Sequence, residues 1–384
     1  MRILMISDVY FPRINGVSTS IQTFKTEFES KGHDVVLIAP DYPAPYDHHE
    51  NIIRIPSRAI PFDPEDRMMK YRDIIKLIPK LKPYQFDLVH IHTPFVAHYA
   101  GVKIANTLGI PCVITYHTLF EEYLFHYIPF VPKFLLRLFA RRFSTSQCNQ
   151  ANGIIVPSSV IVNLLKEYGV DNNLKIIPTG INADKFIQNN GNNFRTKFGI
   201  PENKKVLLNV SRVAFEKNIG LLIEMLNKAK TLLPDVHLVI AGEGPAKNSY
   251  VEQANKLGLN DHISFVGYLD RDSELIDCYH SADLFVFSSK TETQGLVLLE
   301  AMAAGTPVVS IAAMGTKDVL EGCEGAIITD GSVDDFCRKV VTLLQNQDTM
   351  AKLANEAVLY ARQWDAAALA GNMIEYYDKI VTVH

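Results

Sequence analysis

Short apolar runs alternate with longer stretches of helical periodicity along the whole chain. In the first half the runs fall at 2–7, 34–40, 87–93, 112–117, 153–158 and 175–180. In the second half they fall at 205–211, 237–242, 263–269, 283–289 and 306–312. They are rich in Val and Ile and apolar throughout rather than alternating, which predicts parallel strands covered on both faces. Helical patterns such as 219–233 lie between them, so the chain reads as repeated strand-helix units of an α/β fold. The polar stretch QNNGNN at 188–193 breaks this rhythm and predicts a linker. We therefore expect two parallel-sheet domains with a cleft between them. In such sheets ligands sit at the carboxyl ends of strands, so the useful residues should follow the strands.

The 384 residues are enough for two domains that each bury a core. Five scattered cysteines, odd in number and without metal-like spacing, point to a reduced cytoplasmic protein. The opening MRILMISD reads as a strand and polar turn, not as a signal peptide. No apolar run approaches the roughly 20 residues that a membrane-spanning helix needs. The net charge of -4 is unevenly shared: residues 1–180 carry a slight excess of Lys and Arg, and residues 181–384 an excess of Asp and Glu. A basic first half is consistent with contact to something anionic. No nucleic-acid partner is expected, and oligomeric state is not legible.

Several polar constellations follow predicted strands. In KTETQGLVLLEAMAAG, Glu292 lies in a loop and Glu300 in an Ala-rich helical run. A carboxylate buried there needs hydrogen-bond partners, and sugar or ribose hydroxyls are suitable donors. The alternative is a structural salt bridge. Thr293, Gln294, Gly295 and Leu296 fall at the expected helix start, where backbone N–H groups are free to meet an oxygen-rich ligand. Arg212 and Lys217, in SRVAFEK, could grip a diphosphate as forked donor and point charge without a metal; the plain alternative is a pair of solvated cations. Gly16, in INGVST, would let backbone approach a phosphate at a helix start. The three-glycine dinucleotide fingerprint is absent, which argues against an ordinary dehydrogenase. His117 and His92 each end a strand and would reach the cleft. No third ligand has metal-like spacing, so no zinc or other metal site is expected.

Residues 129–144, PFVPKFLLRLFARRFS, combine Lys133, Arg137, Arg141 and Arg142 with Phe134, Leu135, Leu138, Phe139 and Phe143. A basic amphipathic helix of this kind fits an interfacial membrane helix. The alternative is a surface helix whose apolar face packs on the core.

Taken in order, these segments resemble glycosyltransferase family 4. INGVST resembles the family's glycine loop. IPTGIN (177–182) resembles its usual Ile-Pro-Asn-Gly-Val-Asp turn, with Thr179 in place of Asn. SRVAFEK, AGEGP (241–245) and the glutamate pair complete the likeness. The resemblance implies the GT-B fold: Rossmann-like domains over 1–185 and 186–364, facing across a cleft, with 365–384 returning to the first. It implies that Glu292, helped by backbone from Thr293 to Leu296, binds hydroxyls of the donor sugar, and that Glu300 binds ribose. Arg212 and Lys217 would hold the diphosphate, with Gly16 across the cleft. His117 would lie near the transferred sugar, and Gly267, Tyr268 and Leu269 near the base.

Within the family, TYHTLFEEYLFHYIP (115–129) most resembles diacylglycerol glucosyltransferases; the phosphatidylinositol mannosyltransferases share a lipid acceptor. The expected reaction moves a hexose from a nucleoside diphosphate sugar, UDP-glucose, to 1,2-diacylglycerol with retention of configuration. No further cofactor is required, and the enzyme would work as a peripheral protein on the inner face of the cell membrane. Electrostatic stabilisation of the departing diphosphate is the main chemical need. A family relative acting on a soluble acceptor, or a non-catalytic nucleotide-sugar binder, are the competing readings.

Overall fold

The computed structural model describes residues 1–43, 50–60, 63–117, 132–170, 172–187 and 194–384. The predicted linker at 188–193 and most of the 115–129 motif lie outside the described residues. The chain divides into one unit of Met1–Gly180 with Ala366–His384, and a second of Ile181–Asp365. The division falls a few residues before the expected one. Ile181, Ala183 and Phe186 are buried in the second unit's core, and Ile181 pairs with Asp365.

In the first unit the strands are β1 (Arg2–Ile6), β2 (Asp34–Pro40), β3 (Ile52–Ile55), β4 (Ser57–Ile60), β5 (Asp63–Met69), β6 (Leu88–Ile91), β7 (Cys112–Thr115), β8 (Gly153–Val156) and β9 (Leu174–Ile176). All but β4 and β5 form a parallel sheet in the order β3-β2-β1-β6-β7-β8-β9; β4 and β5 make a separate antiparallel hairpin. In the second unit β10 (Lys205–Val210), β11 (Val236–Ala241), β12 (Ile263–Gly267), β13 (Leu284–Phe287), β14 (Val308–Ile311) and β15 (Ala326–Thr329) form a parallel sheet in the order β12-β11-β10-β13-β14-β15. Sequence reading missed β3, β4, β5 and β15. β3, β4 and β15 are only four residues long and partly exposed, and β5, DPEDRMM, is charged over most of its length, so none has the apolar run that marks a central strand.

Burial explains the pattern. Residues of β1, β2, β10, β11 and β13 are almost wholly buried on both faces because helices cover the sheets. The helix Gly16–Ser30 starts at a capping box, in which Asn15 Oδ1 accepts from Ser18 N–H at 2.9 Å and Ser18 Oγ accepts from Asn15 N–H at 2.9 Å. It then buries Ile21, Phe24 and Phe28, spaced at helical intervals, in the first core. No helix among the described residues is long and apolar enough to cross a membrane.

The last helix, Ala366–Val383, belongs to the first unit and buries Ala370, Met373, Tyr376, Tyr377 and Ile380 there. Tyr376 Oη donates to the carbonyl of Asn173 at 2.6 Å and accepts from the N–H of Ile154 at 3.1 Å. Gly153 makes that approach possible: a Cβ there would lie 2.4 Å from Tyr376 Oη. A Gly153→Ala variant must push this helix off the edge of β8, and we expect a loss of about 1–3 kcal/mol. Thermal melting checks this, and an unchanged midpoint would show that the helix does not dock through Tyr376.

Candidate active site

The second unit brings the predicted residues together at the reversal of its strand order. β10 lies between β11 and β13, so the loops leaving β10 and β13 emerge side by side at their carboxyl ends, where open parallel sheets bind ligands. Arg212 opens the turn after β10, and Lys217 ends it. Asn218, in the left-handed region at φ 56°, redirects the chain into the helix Ile219–Leu232. The turn is pinned to the end of β13, because Ser288 Oγ donates to the carbonyl of Asn218 at 2.9 Å and Asn218 Nδ2 donates to that of Ser288 at 3.3 Å. From the other side the AGEGP loop closes on it. A Cβ on Gly242 would sit 2.0 Å from the Ser211 carbonyl oxygen, so only glycine fits.

Glu292 follows β13 and meets Lys217, with Nζ and Oε1 2.6 Å apart. Burial pushes the Glu292 carboxyl up, but the Lys217 ammonium outweighs it, and the group titrates below its ordinary range. The Glu292 loop is backed by Gly315, whose N–H donates to the Glu292 carbonyl at 2.9 Å. A Cβ on Gly315 would lie 1.9 Å from the Thr293 carbonyl oxygen. Gly295, at φ 95°, is the N-cap of the helix Leu296–Ala303, and no side chain caps that end. The backbone from Thr293 to Leu296 thus stands at a helix start, as expected from the sequence.

Glu300 is in that helix and 2% exposed. Both of its oxygens have partners: Arg271 Nη2 donates to Oε1 at 2.6 Å, and Tyr279 Oη donates to Oε2 at 2.8 Å. The salt bridge weighed as the alternative for a buried glutamate is therefore present. Sequence reading missed Arg271 and Tyr279; the available signal was a cation following β12. Gly267 ends β12 at φ 77° and accepts from the N–H of Gly242 at 2.8 Å. After it Tyr268 is exposed and Leu269 enters the core.

In the first unit Gly16 begins its helix, and a Cβ built there meets nothing within 4 Å. Asp8, overlooked in the sequence, follows β1. Its carboxylate accepts from the Thr93 hydroxyl at 2.8 Å and from the N–H of Ala97, the start of the helix Val96–Leu108, at 3.0 Å. Burial raises its pKa to about 6 despite those bonds. His117 lies just beyond β7 and contacts His92, with Nε2 and Nδ1 3.2 Å apart. Burial lowers its pKa to about 4, which leaves a neutral ring at physiological pH.

The basic helix spans Lys133–Cys148. It packs through Leu136, Ala140, Ser144, Gln147 and Cys148, all buried. Phe134, Leu135, Leu138 and Phe139 are each 46% to 63% exposed. Phe143, expected on that apolar face, is instead partly buried, because it lies toward the packed side three residues after Ala140. Arg142 is exposed, while Arg141 Nε donates to the Tyr168 carbonyl at 3.4 Å.

The Lys217–Glu292 pair sets up a pH-dependent stability. Because Glu292 is held below its unfolded pKa, the stabilisation is present above about pH 4.3 and fades as pH falls through the lowered value. Lys217→Ala leaves a largely buried carboxylate without its cation. We expect it to cost about 1.5–3 kcal/mol near neutrality and less in acid, where the carboxylate left without its cation in the variant takes up a proton. Denaturant melts at neutral and at acid pH check this; a loss independent of pH would show that the pair is not coupled to stability.

Residues 14–185 match the description "Glycosyltransferase Family 4", and residues 191–364 match "Glycosyl transferases group 1". The chain is 39% identical over 324 residues to an alpha-monoglucosyldiacylglycerol synthase of Streptococcus pneumoniae, covering 81% of this chain and 71% of that one. It is 28% identical to the synthase of the same name from Acholeplasma laidlawii, covering 99% of this chain and 98% of that one. In structure it is similar to Anabaena HepE in complex with UDP-glucose, with a TM-score of 0.80 at 19% identity over 99% of this chain and 100% of that one. These solved neighbours have the GT-B fold, and the two parallel-sheet units with the returning C-terminal helix are its Rossmann-like domains. The chain belongs to glycosyltransferase family 4 and is a glycosyltransferase.

Proposed function

We propose that this enzyme transfers glucose from UDP-glucose to 1,2-diacylglycerol at a membrane surface, with retention of configuration. The two relatives named for glucosyldiacylglycerol synthesis support the acceptor class, and the neighbour bound to UDP-glucose supports the donor. The observation that carries the lipid acceptor is the helix Lys133–Cys148. Its Phe134, Leu135, Leu138 and Phe139 stand in solvent, although the same helix has another face buried in the core. Such a cluster beside Arg137 and Arg142 is suited to an anionic bilayer interface.

In this reading Arg212 and Lys217 take the diphosphate, and their positive charge grows in value as the leaving group gains negative charge. Donor binding then draws Lys217 from Glu292, and the freed carboxylate accepts hydroxyls of the sugar. Glu300 has two of its roughly four lone-pair sites filled by Arg271 and Tyr279, and the remainder accept the ribose. Gly16 meets the phosphates, Gly267 to Leu269 meet the base, and His117 meets the transferred sugar. The sugar-facing carboxylate is thereby committed to hydroxyls, so attack proceeds from the leaving-group face with a phosphate oxygen accepting the acceptor's proton.

Product mass spectrometry and anomeric NMR, with UDP-glucose and diacylglycerol vesicles, test the reading. An α-linked glucosyldiacylglycerol is expected, and glucosylation of soluble acceptors alone would overturn it. Arg212→Ala and Lys217→Ala should each reduce turnover at least about tenfold, the equivalent of one charged hydrogen bond. Turnover should persist in chelator, because protein cations take the metal's place; complete loss restored by magnesium would show a missed metal role. For the membrane arm, a Lys133/Arg137/Arg141/Arg142→Ser variant should lose sedimentation with anionic vesicles. Each basic residue is worth about 1 kcal/mol near such a surface. Phe134/Leu138/Phe139→Ser should lose it too, while keeping donor affinity. Wild-type protein that ignores anionic vesicles at low salt would remove the membrane from the proposal.

A further inference from the structure

Behind His117 lies a row of buried rings that the transfer mechanism does not use. His90 and His92, two residues apart at the end of β6, project to the same side of the sheet, and their ring centroids are 3.9 Å apart. His90 is engaged at both nitrogens, by Thr115 Oγ1 at Nε2 (2.7 Å) and by Tyr377 Oη at Nδ1 (2.6 Å). His92 is 1% exposed and, among the described residues, is engaged at one nitrogen: Nδ1 meets His117 Nε2, while Nε2 is buried with no hydrogen-bond partner among them. Burial keeps both rings neutral, with smaller contributions from charge repulsion by His117 on His90 and by His90 and His117 on His92.

A neutral imidazole carries one N–H and one lone pair, so the contact has two possible directions. If His92 held its proton on Nε2, that N–H would be a buried donor with nothing to bond, a rare and costly state. With the proton on Nδ1, His92 donates to His117, and the group left over is a bare ring nitrogen. His117 then accepts at Nε2, and its own proton must sit on Nδ1.

We propose that His92 is a positioning residue that fixes the tautomer of His117, so that His117 presents Nδ1–H as a hydrogen-bond donor to an oxygen of the bound nucleotide sugar. The proposal deepens the reading that His117 faces the transferred sugar, and rests on it for its functional part. An imidazole held this way offers a neutral donor of fixed direction, which costs no reorganisation when charge develops on the ligand. The logic is that of ring nitrogens elsewhere: the role of one is set by the bond the other makes.

The test is the nitrogen NMR of protein labelled at histidine, assigned with His92→Gln, His92→Phe and His117→Ala. In wild type, His117 should show a protonated Nδ1 and an unprotonated Nε2. In His92→Phe the signal should become a mixture of both tautomers, and turnover should fall roughly tenfold with the KM for UDP-glucose little changed. His92→Gln, whose amide can donate from a similar place, should recover most of both. A wild-type spectrum with His117 protonated at Nε2 overturns the proposal, as does a reduced His92→Phe turnover with the His117 tautomer unchanged. If His117→Ala retains full turnover, the sugar-facing reading of His117 fails, while the wild-type spectrum still decides what His92 does. Should His92→Phe not fold, the wild-type spectrum and His92→Gln carry the test.

Discussion

An ammonium and a carboxylate lie 2.6 Å apart in Lys217 and Glu292 because a parallel sheet sets two strand ends side by side. Every strand in the sheet points the same way, so each polar loop is delivered to one edge. Only where the order reverses, between β10 and β13, do two loops leave a crevice between them. The remaining features of the second unit serve that crevice. Asn218 and Ser288 tie its two walls, Gly242 lets a third loop close against the first, and Gly315 supports the Glu292 loop from behind.

The two glutamates solve the burial of charge differently. Glu292 has one strong partner and is partly accessible, so a ligand can exchange with that partner. Glu300 is almost fully buried, and each oxygen is held by a different side chain, which fixes the orientation of the carboxylate and of its remaining lone pairs. Breaking either pair by removing one member leaves an uncompensated charge, which is destabilising.

The first unit depends on its returning C-terminal helix. Tyr376 covers Gly153, and Tyr377 reaches His90, so the last residues of the chain support strands read near its middle. This places a buried polar row behind His117, which follows β7 at the carboxyl end of the same sheet. The helix Lys133–Cys148 shows the opposite economy. It spends one face on the core and leaves Phe134, Leu135, Leu138 and Phe139 exposed.

Central strands were legible in the sequence because burial on both faces demands unbroken apolar runs, and the residues after β7, β10 and β13 were legible as candidates because strand ends face ligand sites. Thus His117, Arg212, Lys217 and Glu292 could be named from position alone, and the helix start at Gly295 from its glycine and the Ala-rich run that follows. The edge strands β3 and β15 were not legible, since partial exposure removes the pattern. Nor were the partners. Glu292 finds Lys217 across 75 residues, Glu300 finds Arg271 across 29, and His90 finds Tyr377 across 287. Residue spacing along a chain carries no information about such distances until sheet order brings the loops together, and it is desolvation in the folded state that makes one pairing preferable to solvation by water. Sequence alone therefore determined the strand-helix repeat and which residues stand at strand ends, while tertiary structure decided which charges neutralise one another and which apolar side chains of the basic helix remain outside the core.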